Sequence, residues 1–130
     1  MAFLDSSVII DYLDEVESVV QYVDEQSHLL TSSICVYELL QGEVMSRGPS
    51  DVIGARQKFG RVQAVDFNEP IAIEAARMQD KLASNGETVP TRDLMIAATA
   101  RSTGDEFLVT DSDFQTDVLE GIMTVTNLRE

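Results

Sequence analysis

Ala2-Phe3-Leu4-Asp5-Ser6-Ser7-Val8-Ile9 carries a strand, an acid and a helix start in succession. Ala2 to Leu4 is a short apolar run, as expected of a buried strand, and it stops on Asp5. Ser6 or Ser7 is a residue type that caps a helix, and Val8, Ile9, Tyr12 and Leu13 give that helix an apolar stripe. The same order returns late in the chain, where Phe107-Leu108-Val109 runs into Thr110-Asp111.

Between these two segments the pattern alternates. A helix is expected from about Glu15 to Asp24, a strand from His28 to Thr31, and a helix capped by Ser32 or Ser33 through Val44. Ile34, Tyr37, Leu40 and Val44 form the expected buried face of that helix. Gly48-Pro49-Ser50 interrupts it, and another helix follows from about Asp51 to Phe59. Val62 to Phe67 reads as a strand and Glu69 to Ala83 as a long helix ending near Asn85-Gly86. Thr91 then caps an Ala-rich helix through Arg101, closed by Gly104. A short turn around Phe114 and a last strand, Ile122 to Val125, complete the chain. Strands alternating with helices predict an α/β domain with a mainly parallel sheet, and 130 residues suit one such domain.

Composition narrows the function. Nine bases, seven of them Arg, face 23 acids, for a formal charge of −14. A conventional basic nucleic-acid binder is excluded on that balance. The acids are spread along the chain, and their mutual repulsion is relieved by salt, which suggests a high-salt cytoplasm. No stretch approaches the roughly 18–20 apolar residues of a membrane span, and Met1-Ala2-Phe3-Leu4-Asp5 does not read as a signal peptide. A lone Cys35 excludes an internal disulfide and a multi-cysteine zinc site. A cytoplasmic protein is expected.

A few acids are placed differently from the rest. Asp5 and Asp111 both fall at carboxyl ends of strands, the edge where open α/β sheets bind ligands. Glu38 lies in a helix between Ile34 and Gly42, and Gly42 leaves open backbone one turn away. Asp93 opens the Ala-rich helix beside Ile96 and Ala97, and Asp113 follows Asp111 by two residues. Carboxylates gathered at one edge repel unless a cation holds them, and oxygen donors suit Mg²⁺ or Mn²⁺. Such ions activate water and stabilise charge at a phosphodiester. Duller roles fit the same residues singly. Asp93 suits a first-turn acid on the helix dipole, and Asp111 and Asp113 suit a turn and an N-cap. Asp11 suits a solvated face better than the site, His28 a strand-edge surface, and Cys35 a small buried hydrophobe. Arg92 suits either a phosphate contact or a surface ion pair.

Four segments in order carry a resemblance. Phe3-Leu4-Asp5-Ser6-Ser7, Tyr37-Glu38-Leu39-Leu40-Gln41-Gly42, Arg92-Asp93-Leu94-Met95-Ile96-Ala97-Ala98-Thr99-Ala100 and Leu108-Val109-Thr110-Asp111-Ser112-Asp113-Phe114 resemble the PIN-domain nucleases. They are most similar to the small VapC-type toxins of toxin–antitoxin pairs. The resemblance spans nearly the whole chain and implies a single PIN-like three-layer α/β/α domain over residues 1–130. It implies an Mg²⁺- or Mn²⁺-dependent endoribonuclease of type II toxin kind, cleaving structured or single-stranded RNA of the tRNA or rRNA class. Asp5, Glu38, Asp93 and Asp111 match the family's catalytic, metal-holding quartet, with Asp113 supporting the same metal. Thr110 matches a hydroxyl residue that orients an acid or water, Ser6 is a further supporting residue, and Arg92 is a possible RNA contact. A homodimer and a cognate antitoxin that blocks the acidic pocket are also implied. The charge of −14 is more acidic than in most members and bears on how RNA is held.

Three other readings share these features. A housekeeping PIN nuclease would carry the same acids. A phosphoacceptor receiver domain also gathers acids at strand ends but needs a late Lys, and Lys58 and Lys81 both precede Asp111. A non-catalytic acidic module would bind a basic peptide by electrostatic steering.

Overall fold

β1 (Ala2–Leu4) runs through the centre of the sheet, followed in sequence by α1 (Ser6–Leu13) and α2 (Glu17–Asp24). β2 (Leu29–Ser32), α3 (Ser33–Met45), α4 (Val52–Gln57) and β3 (Gln63–Val65) follow. α5 (Glu69–Ser84), α6 (Thr91–Thr103), β4 (Glu106–Val109), α7 (Asp117–Ile122) and β5 (Val125–Asn127) complete the order. The structure, a computed structural model, describes residues 1–129. The strands lie in the order β3-β2-β1-β4-β5, and every pairing is parallel. The expected mainly parallel sheet is thus wholly parallel.

Strand alternation sorts the core into two layers of packing. Phe3, Phe107 and Val109 point to one face, against Ile71, Ala75, Met78 and Leu82 of α5 and Leu94, Ile96 and Ala97 of α6. Ala2, Leu4, Leu29 and Leu108 point to the other, against Val8, Ile9, Val19 and Val23 of α1 and α2. The result is the three-layer α/β/α arrangement. Phe107 sits edge-on between Phe3, at 5.7 Å, and Phe114, at 4.8 Å, so three rings link the strand ends to the loop after β4.

Several boundaries differ from the sequence reading. The N-cap position of α1 is Asp5, in extended conformation and with no side-chain cap, while Ser6 and Ser7 lie within the helix and their hydroxyls meet Arg92 and Asp5. α2 begins at Glu17 because Glu15 adopts φ 60°, which breaks the helix. The cap at Ser32 is as expected, its hydroxyl accepting from the Ile34 amide at 3.0 Å. α6 is preceded by Pro90 rather than capped by Thr91, since the extended Pro90 backbone already turns the chain into the helix. The third strand shrinks to Gln63–Val65. The last strand moves from Ile122–Val125 to Val125–Asn127 because Thr116 caps α7 through Ile122. Gly104 ends α6 as expected, at φ 74°.

The buried face expected for α3 is also corrected. Cys35 is its buried residue, while Tyr37 is 63% exposed and Val44 52% exposed. The helix rests its Val36 and Leu39 flank on the α1–α2 side and Ile34 on the other face. Its apolar residues are divided between the two packed faces and are not gathered on one inward stripe.

Candidate active site

The order of strands reverses at β1, which pairs with β2 on one side and β4 on the other. Helices diverge at such a point and leave a crevice beyond the carboxyl ends of the two central strands. Leu4 pairs with Thr31 and with Leu108, so Asp5 follows directly at that edge. The Asp5 amide donates to the Leu108 carbonyl at 3.0 Å, and the buried Thr31 hydroxyl donates to the Leu4 carbonyl at 2.7 Å. These bonds hold the end of β1 from both neighbours.

Asp5 is 2% exposed. Ser7 Oγ donates to its Oδ2 at 2.8 Å, and Cys35 Sγ lies 3.9 Å from its Oδ1. Glu38 reaches the crevice from α3, and Asp93 from the first turn of α6. Arg92 joins the group. Its Nε and Nη2 donate to the two carboxylate oxygens of Glu38, and its Nη1 donates to Asp93 Oδ1. Arg92 Nη2 also donates to Ser6 Oγ at 3.0 Å and stands 3.9 Å from Asp5 Oδ1. One guanidinium therefore faces three carboxylates from three elements.

Burial, the largest influence, holds the Asp5 carboxyl above its ordinary range, and the charge of Asp111 acts in the same direction. The Ser7 hydrogen bond and Arg92 oppose that rise. Burial likewise raises Asp93, against Arg92, with Asp111 and Asp113 adding repulsion. Burial pushes the Cys35 thiol up to about 12, aided by the charges of Asp5 and Glu38. Cys35 is therefore a neutral packing residue, as expected, and one that touches Asp5.

The other expected residues fall as follows. Thr110 is buried at the end of β4. Asp111 and Asp113 are exposed just beyond it, joined by the Asp113 amide donating to Asp111 Oδ1 at 2.9 Å. The charge of Asp111 acts on both Asp5 and Asp93, and that of Asp113 on Asp93. Gly42 is exposed, and a methyl group there would meet nothing within 4 Å. His28 is exposed immediately before β2. Asp11 is neither solvated nor in the crevice. It is buried and takes Arg129 Nη2 at 2.9 Å and Nε at 3.2 Å, because the chain after β5 returns over α1. Ser7 is the site residue the sequence reading missed, since a serine after a strand-end acid looks like a cap.

Among the described residues, no three Asp, Glu, His or Cys side chains are placed to enclose a metal ion directly. The donor set still suits a hard divalent cation. It is made of carboxylate oxygens, it already surrounds a positive group, and its two most buried acids are held above their ordinary range by burial. No helix among the described residues is long and apolar enough to cross a membrane.

The PIN domain family profile matches residues 2–116. Comparison with curated proteins found no match. Solved structures do match. The DNA-bound VapBC from Salmonella typhimurium superposes with a TM-score of 0.83 at 23% identity, covering 98% of this chain and 97% of that one. FitAcB from Neisseria gonorrhoeae gives 0.80 at 25% identity, covering 98% of each chain. VapBC-5 from Mycobacterium tuberculosis, a member of the VapBC family of toxin–antitoxin systems, gives 0.70 at 26% identity, covering 99% and 98%.

Proposed function

Because the chain belongs to the PIN-domain family, whose members are nucleases, we propose that it is a metal-dependent endoribonuclease acting as the toxin of a toxin–antitoxin pair. The convergence of Asp5, Glu38 and Asp93 on one cationic group at the sheet's switch point is the observation that carries this reading. Asp5, Glu38, Asp93 and Asp111 would hold Mg²⁺ or Mn²⁺, with Asp113 in support. When bound, such an ion lowers the pKa of water and neutralises charge on a phosphodiester.

The chain's own residues prepare that chemistry. Ser7 and the bond to Leu108 fix Asp5 in one orientation, which preorganises an oxygen donor. The first turn of α6 holds Asp93 by its backbone, whatever the neighbouring side chain does. Thr110, buried at the end of β4, would orient an acid or water through its hydroxyl, and Arg92, 3.9 Å from Asp5, would meet an RNA phosphate. RNA of the tRNA or rRNA class is the proposed substrate. A net charge of −14 leaves few other cations to hold it.

A homodimer and a cognate antitoxin complete the proposal. Similar structures include VapBC assemblies, and the exposed Tyr37, Val44 and Val52 give α3 and α4 an apolar surface to cover. The deciding experiment is RNA cleavage by the purified chain with Mg²⁺ or Mn²⁺. Cleavage should vanish with chelator and in Asp5→Ala and Asp93→Ala. Activity that survives both substitutions would overturn the site assignment.

A further inference from the structure

Arg92 is placed as an ion would be. Its three nitrogens point at Glu38 and Asp93, and it stands 3.9 Å from Asp5 Oδ1. Among the described residues, its neutral partner is Ser6 Oγ, at 3.0 Å. A guanidinium carries one positive charge, and the three carboxylates around it carry three negative ones when ionised. Its side chain is nonetheless 40% exposed, so one flank opens to water.

A divalent ion and the Arg92 guanidinium compete for these oxygens. At such separations like charges repel strongly, the more so beside a carboxylate as buried as Asp5. Arginine does not escape by losing its proton, since it stays charged in proteins. It must move. α6 fixes its backbone, but the long side chain can leave through the exposed flank. A divalent ion brings twice the charge of the guanidinium, and that added attraction works for the exchange against the cost of partly dehydrating the ion.

We infer that Arg92 is an internal latch, and that a divalent metal binds this site only by displacing Arg92 from Glu38 and Asp93. The inference rests on the metal site proposed above and adds its regulation. With the latch closed, Glu38 and Asp93 are neutralised without metal. With it open, the freed guanidinium turns out through the exposed flank, where an RNA phosphate can receive it. Metal loading and phosphate binding are thereby coupled through one side chain. A closed latch lowers apparent metal affinity in proportion to the fraction of molecules that are open.

The test is calorimetric titration of Mn²⁺ into the metal-free full chain, compared with Arg92→Gln, Arg92→Ala and Arg92→Lys. Arg92→Gln and Arg92→Ala should bind Mn²⁺ on the order of tenfold more tightly than the parent. Arg92→Lys keeps the charge but loses the planar fork, and should fall between them and the parent. Mg²⁺ should also shift the Arg92 Nε–H resonance of the parent in NMR spectra. Equal affinity in all four proteins overturns the latch and leaves the metal site standing. Affinity in Arg92→Lys equal to the parent also overturns it, since charge alone would then explain the effect. Absence of Mn²⁺ binding in every protein, including Arg92→Ala, overturns the metal site itself.

Discussion

Ser7 Oγ donates to Asp5 Oδ2 at 2.8 Å, across the turn that joins β1 to α1. This bond holds a carboxylate that is 2% exposed, close to Cys35 and 3.9 Å from the nearest guanidinium nitrogen. Without metal, an ionised Asp5 therefore opposes folding.

Asp5→Asn should stabilise the metal-free protein at neutral pH while abolishing cleavage, the trade expected where function requires a strained charge. The pH dependence has a definite sign. Asp5 and Asp93 have folded-state values above their ordinary ones, so the folded chain binds their protons more tightly than the unfolded chain does. Their contribution is favourable while protonated and is lost as pH rises through the raised values. Lowering the pH from neutral towards the ordinary carboxylate range should stabilise the metal-free parent more than Asp5→Asn. Thermal melts of both proteins across that range would show it; parallel curves would contradict the assignment.

Gly42→Ala should raise stability by about 1 kcal/mol, because a methyl there meets nothing within 4 Å and alanine favours the α3 interior. Denaturant melts measure that gain. If Gly42 leaves open backbone for RNA, cleavage should fall in the same variant, whereas unchanged cleavage would make the glycine irrelevant to the site.

Arg129→Ala should destabilise the fold by about 1–2 kcal/mol, since it removes a charged hydrogen-bond partner from buried Asp11, discounted for the exposure of Arg129. Activity per folded molecule should be unchanged. A loss of cleavage without loss of stability would place Asp11 in the site after all.

Raising KCl from low to molar concentration should raise the melting temperature, because a charge of −14 repels itself and salt screens it. A flat or falling melting temperature would remove the high-salt reading of the surface.

The strand-then-acid pattern at Asp5 and at Asp111 was legible because it is local. Apolar runs, their length and the acid that ends each one lie within a few residues, and the alternation with helices dictated a parallel sheet. The positions of Glu38 and Asp93 on helices were legible for the same reason. The boundaries at Glu15, Pro90 and Val125 were not, since they depend on backbone choices that neighbouring elements select. The exposed Tyr37 and Val44 were misread because helical spacing states which residues share a face, not whether another element covers it.

By itself the sequence determined the element types, the sheet class and the identity of the acids at its edge. The tertiary structure alone decided which charges meet. Glu38 and Arg92 are 54 positions apart, and Asp11 and Arg129 are 118 apart. Their pairing depends on the order of strands in the sheet and on where the chain returns. Arg92 read as a surface ion pair or a phosphate contact, yet it stands among three carboxylates. An electrostatic contact is a property of distance in space, and only the packed sheet and helices set that distance.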